Sequence, residues 1–290
     1  MRSLNSLKRK RVLRVNSRSS RLSNIKAEFK AAFLKDLRAY LRYPAWVLGE
    51  FISTPLWFFF FALGVTLFVP TQPVYMPYGN AIDFFYYGFV FIALFSTSVW
   101  GMGQTVRNEQ QSGTLEQFFL APVNRGTLII GRWARVFLTN ILVIGYTTIL
   151  LYLLGNVLIT MYNPILFLCS LVLYELCLIG FGLFFTGFTM RLKSYNTIAN
   201  LVFFSYMIFT GALFPVNVIP LPFRYISLLI PFTYFIDLMR HAALLTPTLL
   251  PDSLEYLAGI LVALTMLIFG FIVFNWIEVD ARKRGTIATN

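Results

Sequence analysis

Charge is scarce in this chain: Asp, Glu, Lys and Arg make up 12% of its 290 residues, against 58% hydrophobic ones. A soluble domain carries about 25% charged residues, so a water-soluble globule is excluded. Histidine occurs once, as His241, and a single imidazole cannot build a metal site. The only cysteines are Cys169 and Cys177, in one apolar run. On a helix their spacing is about 12 Å, while a disulfide needs Cα atoms within about 7 Å, so they read as packing residues. No Gly-Lys pair occurs, which removes the phosphate-binding loop G-x-x-x-x-G-K-[ST]. Any use of ATP therefore takes place on another chain. Clustered His, Asp or nucleophile–base groups of the kind a membrane enzyme would need are missing too.

What the sequence does have is long apolar runs, and about 20 apolar residues suffice to cross a bilayer as a helix. The expected fold class is an all-α integral membrane protein with six transmembrane helices, at 44–69, 83–106, 126–160, 164–190, 195–213 and 255–276. Before them, residues 24–43 place Ile25, Phe29, Phe33, Leu37 and Leu41 at every fourth position among charged residues. That spacing predicts an amphipathic helix lying in the membrane interface. Pro44 suits the first position of the next helix, and Pro55 predicts a kink within it. Segment 214–254 holds Pro215, Pro220, Pro222, Pro231, Pro247 and Pro251, too many breakers for a straight span. It is expected to form one or two short helices at the outer leaflet. Residues 278–290 read as a charged tail.

Charge placement orients these spans, because Lys and Arg concentrate on the cytoplasmic side. Of the 24 Lys and Arg, all but Arg224 and Arg240 fall on one side of the six-span scheme, which places both termini in the cytoplasm of a cell membrane. Trp46, Trp100, Trp133 and Trp276 fall near the same ends, as an aromatic belt requires. Residues 1–23 carry only basic charge. A transit peptide and a nucleic-acid arm are both conceivable for them. A cytoplasmic tail near anionic lipid headgroups accounts for the same residues more simply, and no nucleic-acid partner is expected.

The polar interruption at 107–135 is the most distinctive stretch. Thr114 with Gln117 forms a capping box after Gly113, and Pro122 sets the end. The resulting helix, 115–121, presents Leu115, Phe118, Phe119 and Leu120 outside the membrane, where such side chains call for a partner. Two intramembrane acids stand out. An ionised Glu175 in the fourth span costs about 2.5–3.5 kcal/mol on insertion scales, which marks a substrate contact, one half of an interhelical pair, or a hydrogen-bonded packing residue. Glu50, about 9 Å into the first span, reads as a structural ion pair with Arg107 or another loop cation.

Three blocks resemble the ABC-2 exporter permeases, the group that includes the eukaryotic subfamily-G half transporters. Glu109, Gly113-Thr114-Leu115-Glu116 and Pro122 resemble the family's E…GTLE…P segment. Tyr195 to Pro215, with Thr210-Gly211-Ala212-Leu213-Phe214-Pro215, resembles its [ST]-G-x-x-F-P ending of span five. Pro220, Pro231, Tyr234, Asp237 and Arg240 resemble its P…P-x-x-Y…R outer segment. The resemblance implies a homodimer or heterodimer of six-helix units joined to two ABC ATPase subunits, which would hold ATP and Mg; this chain would bind no cofactor or metal and catalyse nothing. It implies that 115–121 is the coupling helix, with Glu109, Thr114, Leu115, Glu116, Phe118, Phe119 and Arg125 meeting the ATPase. It implies a pathway between spans two and five, along Phe89, Phe95, Glu175, Phe203 and Met207, and an outer gate at Gly211, Leu213, Phe214 and Pro215. The cargo would be hydrophobic or amphipathic: a lipid, drug, glycolipid, polysaccharide or peptide. The competing reading is an ion-coupled carrier or channel using Glu50 and Glu175.

Overall fold

The computed structural model describes residues 25–68, 81–103, 125–189 and 195–284. The basic tail 1–23 and the expected coupling helix 115–121 lie outside the described residues. So do Glu109 and Arg107. Every regular element among those described is helical. We label them α1 (residues 25–41), α2 (Pro44–Phe68), α3 (Ala81–Ser96), which continues into a π-helical turn (Thr97–Gly103), α4 (Arg125–Gly155), α5 (Pro164–Thr189), α6 (Tyr195–Phe209), α7 (Leu221–Leu229), α8 (Pro231–Leu244) and α9 (Asp252–Arg284). Stretches within α3 and the π turn, α4, α5 and α9 are long and apolar enough to cross a membrane, making this a multi-pass membrane protein. α2 adds 25 residues and runs unbroken through Pro55.

One helix organises the others. The stretch Ile82–Gly103 is 72% buried, whereas those in α4 and α9 are each 22% buried. Phe84, Phe91, Leu94, Phe95, Val99 and Met102 on this helix are closed off from solvent; Phe91, Leu94, Phe95 and Val99 belong to the aromatic-rich main core, and Met102 packs with Ile129, Leu183 and Phe274. Side chains tie the helix and its π turn in place: Asn140 Nδ2 donates to Ala93 O at 2.7 Å, Thr97 Oγ1 to Leu94 O at 2.7 Å, and the Tyr195 hydroxyl to Val99 O. Sequence patterning reads straight through this turn, because a π turn leaves no hydrophobic signature of its own.

Around α3, packing depends on small residues. A Cβ on Gly270 of α9 would stand 1.9 Å from Gly180 O of α5, so these two backbones touch. Close approach of this kind is how helices gain dispersion energy where lipid removes the hydrophobic drive. α1 docks through Ala32, whose Cβ would lie 2.7 Å from a Cβ on Gly131 of α4. Ile25, Phe29 and Leu41 remain exposed, which suits a helix lying on lipid.

Several boundaries differ from expectation, each for a local reason. α4 stops at Gly155 rather than at 160, because Asn156 adopts a left-handed conformation (φ 49°) and turns the chain. The following segment runs along α8, with Tyr162 N donating to Ala243 O at 3.0 Å. α6 ends at Phe209 rather than at 213, where Thr210 Oγ1 folds back onto Tyr206 O and Gly211 takes φ 83°. α9 runs on to Arg284, through part of the expected tail, since no Gly or Pro intervenes before Gly285. Between α6 and α9, segment 214–254 contains a 3-10 turn (Val216–Val218) and two α-helices, α7 and α8, bent by 89° at Ile230. α8 packs into the core, with Phe235, Leu238, Met239 and Ala242 fully buried.

Candidate functional site

α2, α3 and α6 enclose an apolar cavity of about 440 Å³. Phe89, Phe203 and Met207, expected on the pathway, and Leu213, expected at the gate, line it together with Trp57 and Phe58. Among the described residues, the Thr54 hydroxyl and the Trp57 indole are the polar side-chain groups in its wall, and no charged residue takes part. Such a space binds by shape and dispersion, worth about 25 cal/mol per Å² of apolar surface covered. α6 contributes by helical spacing: Phe203, Phe204 and Met207 fall on one face, three and four residues apart.

Phe95 was expected in that wall and is instead one layer behind it. It is 1% exposed and stacks on Tyr206 with ring centroids 3.8 Å apart and planes 5° from parallel. The Tyr206 hydroxyl also meets that of Tyr174. Phe95 thus braces the cavity without lining it, because it points from α3 toward α5 and α8 rather than toward α2. Phe181 of α5 and Phe232 of α8 pack on its ring.

The expected gate residues separate into three environments. Leu213 closes one part of the apolar cavity. Phe214 turns outward, 44% exposed, into a second apolar pocket with Phe209 and Phe223. Gly211 and Pro215 border a small polar pocket of about 210 Å³ that also receives Asp237 and Arg240. Buried Arg240 holds this corner. Its Nη1 donates to Gly211 O at 2.8 Å and its Nη2 to Ala212 O at 3.1 Å, while the guanidinium lies 3.6 Å from the centroid of the Phe84 ring. Gly88 lets α3 approach the same loop, since a Cβ there would meet Ala212 O at 2.0 Å.

Acids near Arg240 complete the outer cluster. Asp237 Oδ2 accepts from Leu249 N at 2.7 Å, and Glu255 Oε2 accepts from Leu250 N at 3.2 Å. Two carboxyl groups, from α8 and α9, therefore hold successive amides of one loop. Arg240, Asp237 and Glu255 were not among the residues singled out as a site from sequence. A signal existed for two of them: Asp237 and Arg240 lie three residues apart in an α-helical stretch and so are neighbours on its surface.

Glu175 and Glu50 occupy different surroundings. Glu175 is buried on α5, facing the Trp133 indole of α4 without closing a hydrogen bond to it. It does not line the cavity of α2, α3 and α6. Glu50 Oε2 accepts from the Tyr40 hydroxyl at 2.6 Å. Burial, and next this hydrogen bond, push the Tyr40 phenol above its ordinary pKa. The expected partner Arg107 lies outside the described residues, as do Thr114, Leu115, Glu116, Phe118 and Phe119, and nothing is described of the Arg125 side chain.

A family model described as ABC-2 type transporter matches residues 27–244, from α1 to the end of α8. No curated protein matches the chain.

Proposed function

Because the chain belongs to the ABC-2 type transporter family and is thus a transport permease, we propose that it is the membrane subunit of an ATP-driven exporter. The observation that supports this reading most is the uncharged cavity that α6 and α3 wall with Phe203, Met207 and Phe89. A cavity without a counter-charge selects uncharged apolar groups, so the cargo is hydrophobic or presents a hydrophobic portion here. In this reading α2 counts as a span and α6 spans together with the loop after it, giving six crossings with both termini cytoplasmic. Two copies, or one copy and a related permease, associate with two ATPase subunits that bind ATP and Mg.

Force would enter at 115–121. Closure of the ATPases around nucleotide moves that segment, and the π turn of α3 is an irregularity among the described residues through which the motion can bend the central helix. Leu213 and the loop clasped by Arg240 then form the outer barrier that must open.

Two experiments test this. Met207→Trp fills the cavity from α6 and is expected to lower ATP-dependent transport by roughly ten-fold, about 1.4 kcal/mol, while leaving membrane insertion intact. Unchanged transport would mean that cargo takes another path. Leu115→Asp or Phe118→Asp places a charge where an apolar side chain worth about 1.5–3 kcal/mol on burial is expected to meet the ATPase. Each is expected to abolish stimulation of the ATPase by the permease in a co-purified complex. If hydrolysis is the same as in wild type, 115–121 is not the coupling element.

A further inference from the structure

A second cavity, of about 880 Å³, opens between α2, the π turn and α4, at the end where α1 docks. Unlike the apolar cavity, it carries charge. Arg132 and Arg135 of α4 enter it, three residues apart and so on one face, and among the described residues Glu50 supplies the one carboxylate in its lining. That carboxylate already accepts the Tyr40 hydroxyl. Arg132 Nε stands 3.8 Å from Asp36, a loose contact, and the buried Nε atoms of Arg132 and Arg135 have no hydrogen-bond partner among the described residues. Arg135 is braced from behind, 5.1 Å from the centroid of the Tyr40 ring. Two oriented guanidiniums in a partly closed, amide- and hydroxyl-lined space match a phosphate group.

The surroundings point to a phosphate attached to lipid. A Cβ on Gly49 would meet nothing within 4 Å, so the cavity is open beside α2. From that opening Leu48, Ile52 and Leu56, each four residues from the next, form an exposed apolar stripe along α2. Trp46, 73% exposed, stands at the mouth, the depth at which tryptophan marks the headgroup layer. A free anion would have no use for this stripe, whereas acyl chains would lie along it. We propose that the cavity between α2, the π turn and α4 binds the phosphate headgroup of an anionic membrane lipid. The site is distinct from the Phe203–Met207 cavity and requires neither cargo nor ATPase.

The test uses the full chain in phosphatidylcholine bilayers, with spin-labelled phosphatidylglycerol or phosphatidylcholine as probe and the motionally restricted fraction as readout. Wild type is expected to prefer phosphatidylglycerol. The Arg132→Gln/Arg135→Gln double variant is expected to reduce that preference by roughly ten-fold. Gly49→Phe, which obstructs the cavity at an open position and keeps both guanidiniums, is expected to reduce it comparably without lowering the melting temperature. Preference retained in both variants would assign lipid selectivity to the basic residues of 1–42 and overturn the site. Displacement of the lipid probe by millimolar inorganic phosphate at constant ionic strength would show a free-anion site and overturn it equally. Because no ATP is present, failure here leaves the transport reading untouched, and failure of transport leaves this one.

Discussion

Arg240→Met is expected to destabilise the full chain in detergent by about 3–5 kcal/mol, the usual effect of breaking a buried charged network. The arginine fastens α8 to the loop after α6 through Gly211 O and Ala212 O, and it covers the Phe84 ring. Methionine fills similar volume but donates nothing, leaving both carbonyls buried without that partner. The desolvated cation–π contact, worth about 2 kcal/mol, goes as well. Arg240→Lys should recover only part of the loss, since one ammonium cannot span two carbonyls as a planar fork does. Transport is expected to fall with stability, because Leu213, at the edge of the apolar cavity, is two residues from Gly211. A melting temperature for Arg240→Met equal to wild type would show that the clasp contributes nothing.

Gly270→Val is the second large effect. Its Cβ would lie 1.9 Å from Gly180 O, and backbone offers no rotamer by which to yield. The α5–α9 pair must then separate along its length, at a cost of at least about 3 kcal/mol, the upper range for overpacking. Gly145→Val in α4 is the matched control, because a Cβ there meets nothing within 4 Å. Expression and thermal unfolding in detergent should show Gly270→Val severely impaired and Gly145→Val close to wild type. Equal behaviour of the two would mean that α5 and α9 do not pack through Gly180 and Gly270.

Much of the fold was legible because membrane insertion depends on local composition. Apolar runs marked α2, α4, α5 and α9 to within a few residues at most ends, and the four-residue spacing of Ile25, Phe29 and Phe33 marked α1. The larger errors came at stops that composition hides. Gly155-Asn156 ended α4 by a left-handed turn inside an apolar stretch. Charged residues after Trp276 did not end α9, because charge alone does not break a helix.

By itself the sequence determined the class: an all-helical membrane protein, without a phosphate loop of the G-x-x-x-x-G-K-[ST] form, and with motifs matching the ABC-2 pattern. These are properties of composition, spacing and short motifs, and each can be read without knowing what touches what. Tertiary structure alone decided which aromatic residues share the cavity and which support it. Phe89 and Phe95 lie six residues apart on one helix, yet one lines open space and the other stacks on Tyr206. It also turned Arg240 from an exception in the charge count into a clasp, and brought Arg132 and Arg135 of α4 to the mouth marked by Trp46 of α2. The reason is physical. Burial in lipid is set residue by residue, whereas a cavity, a clasp or a charged cleft exists only where segments distant in sequence meet.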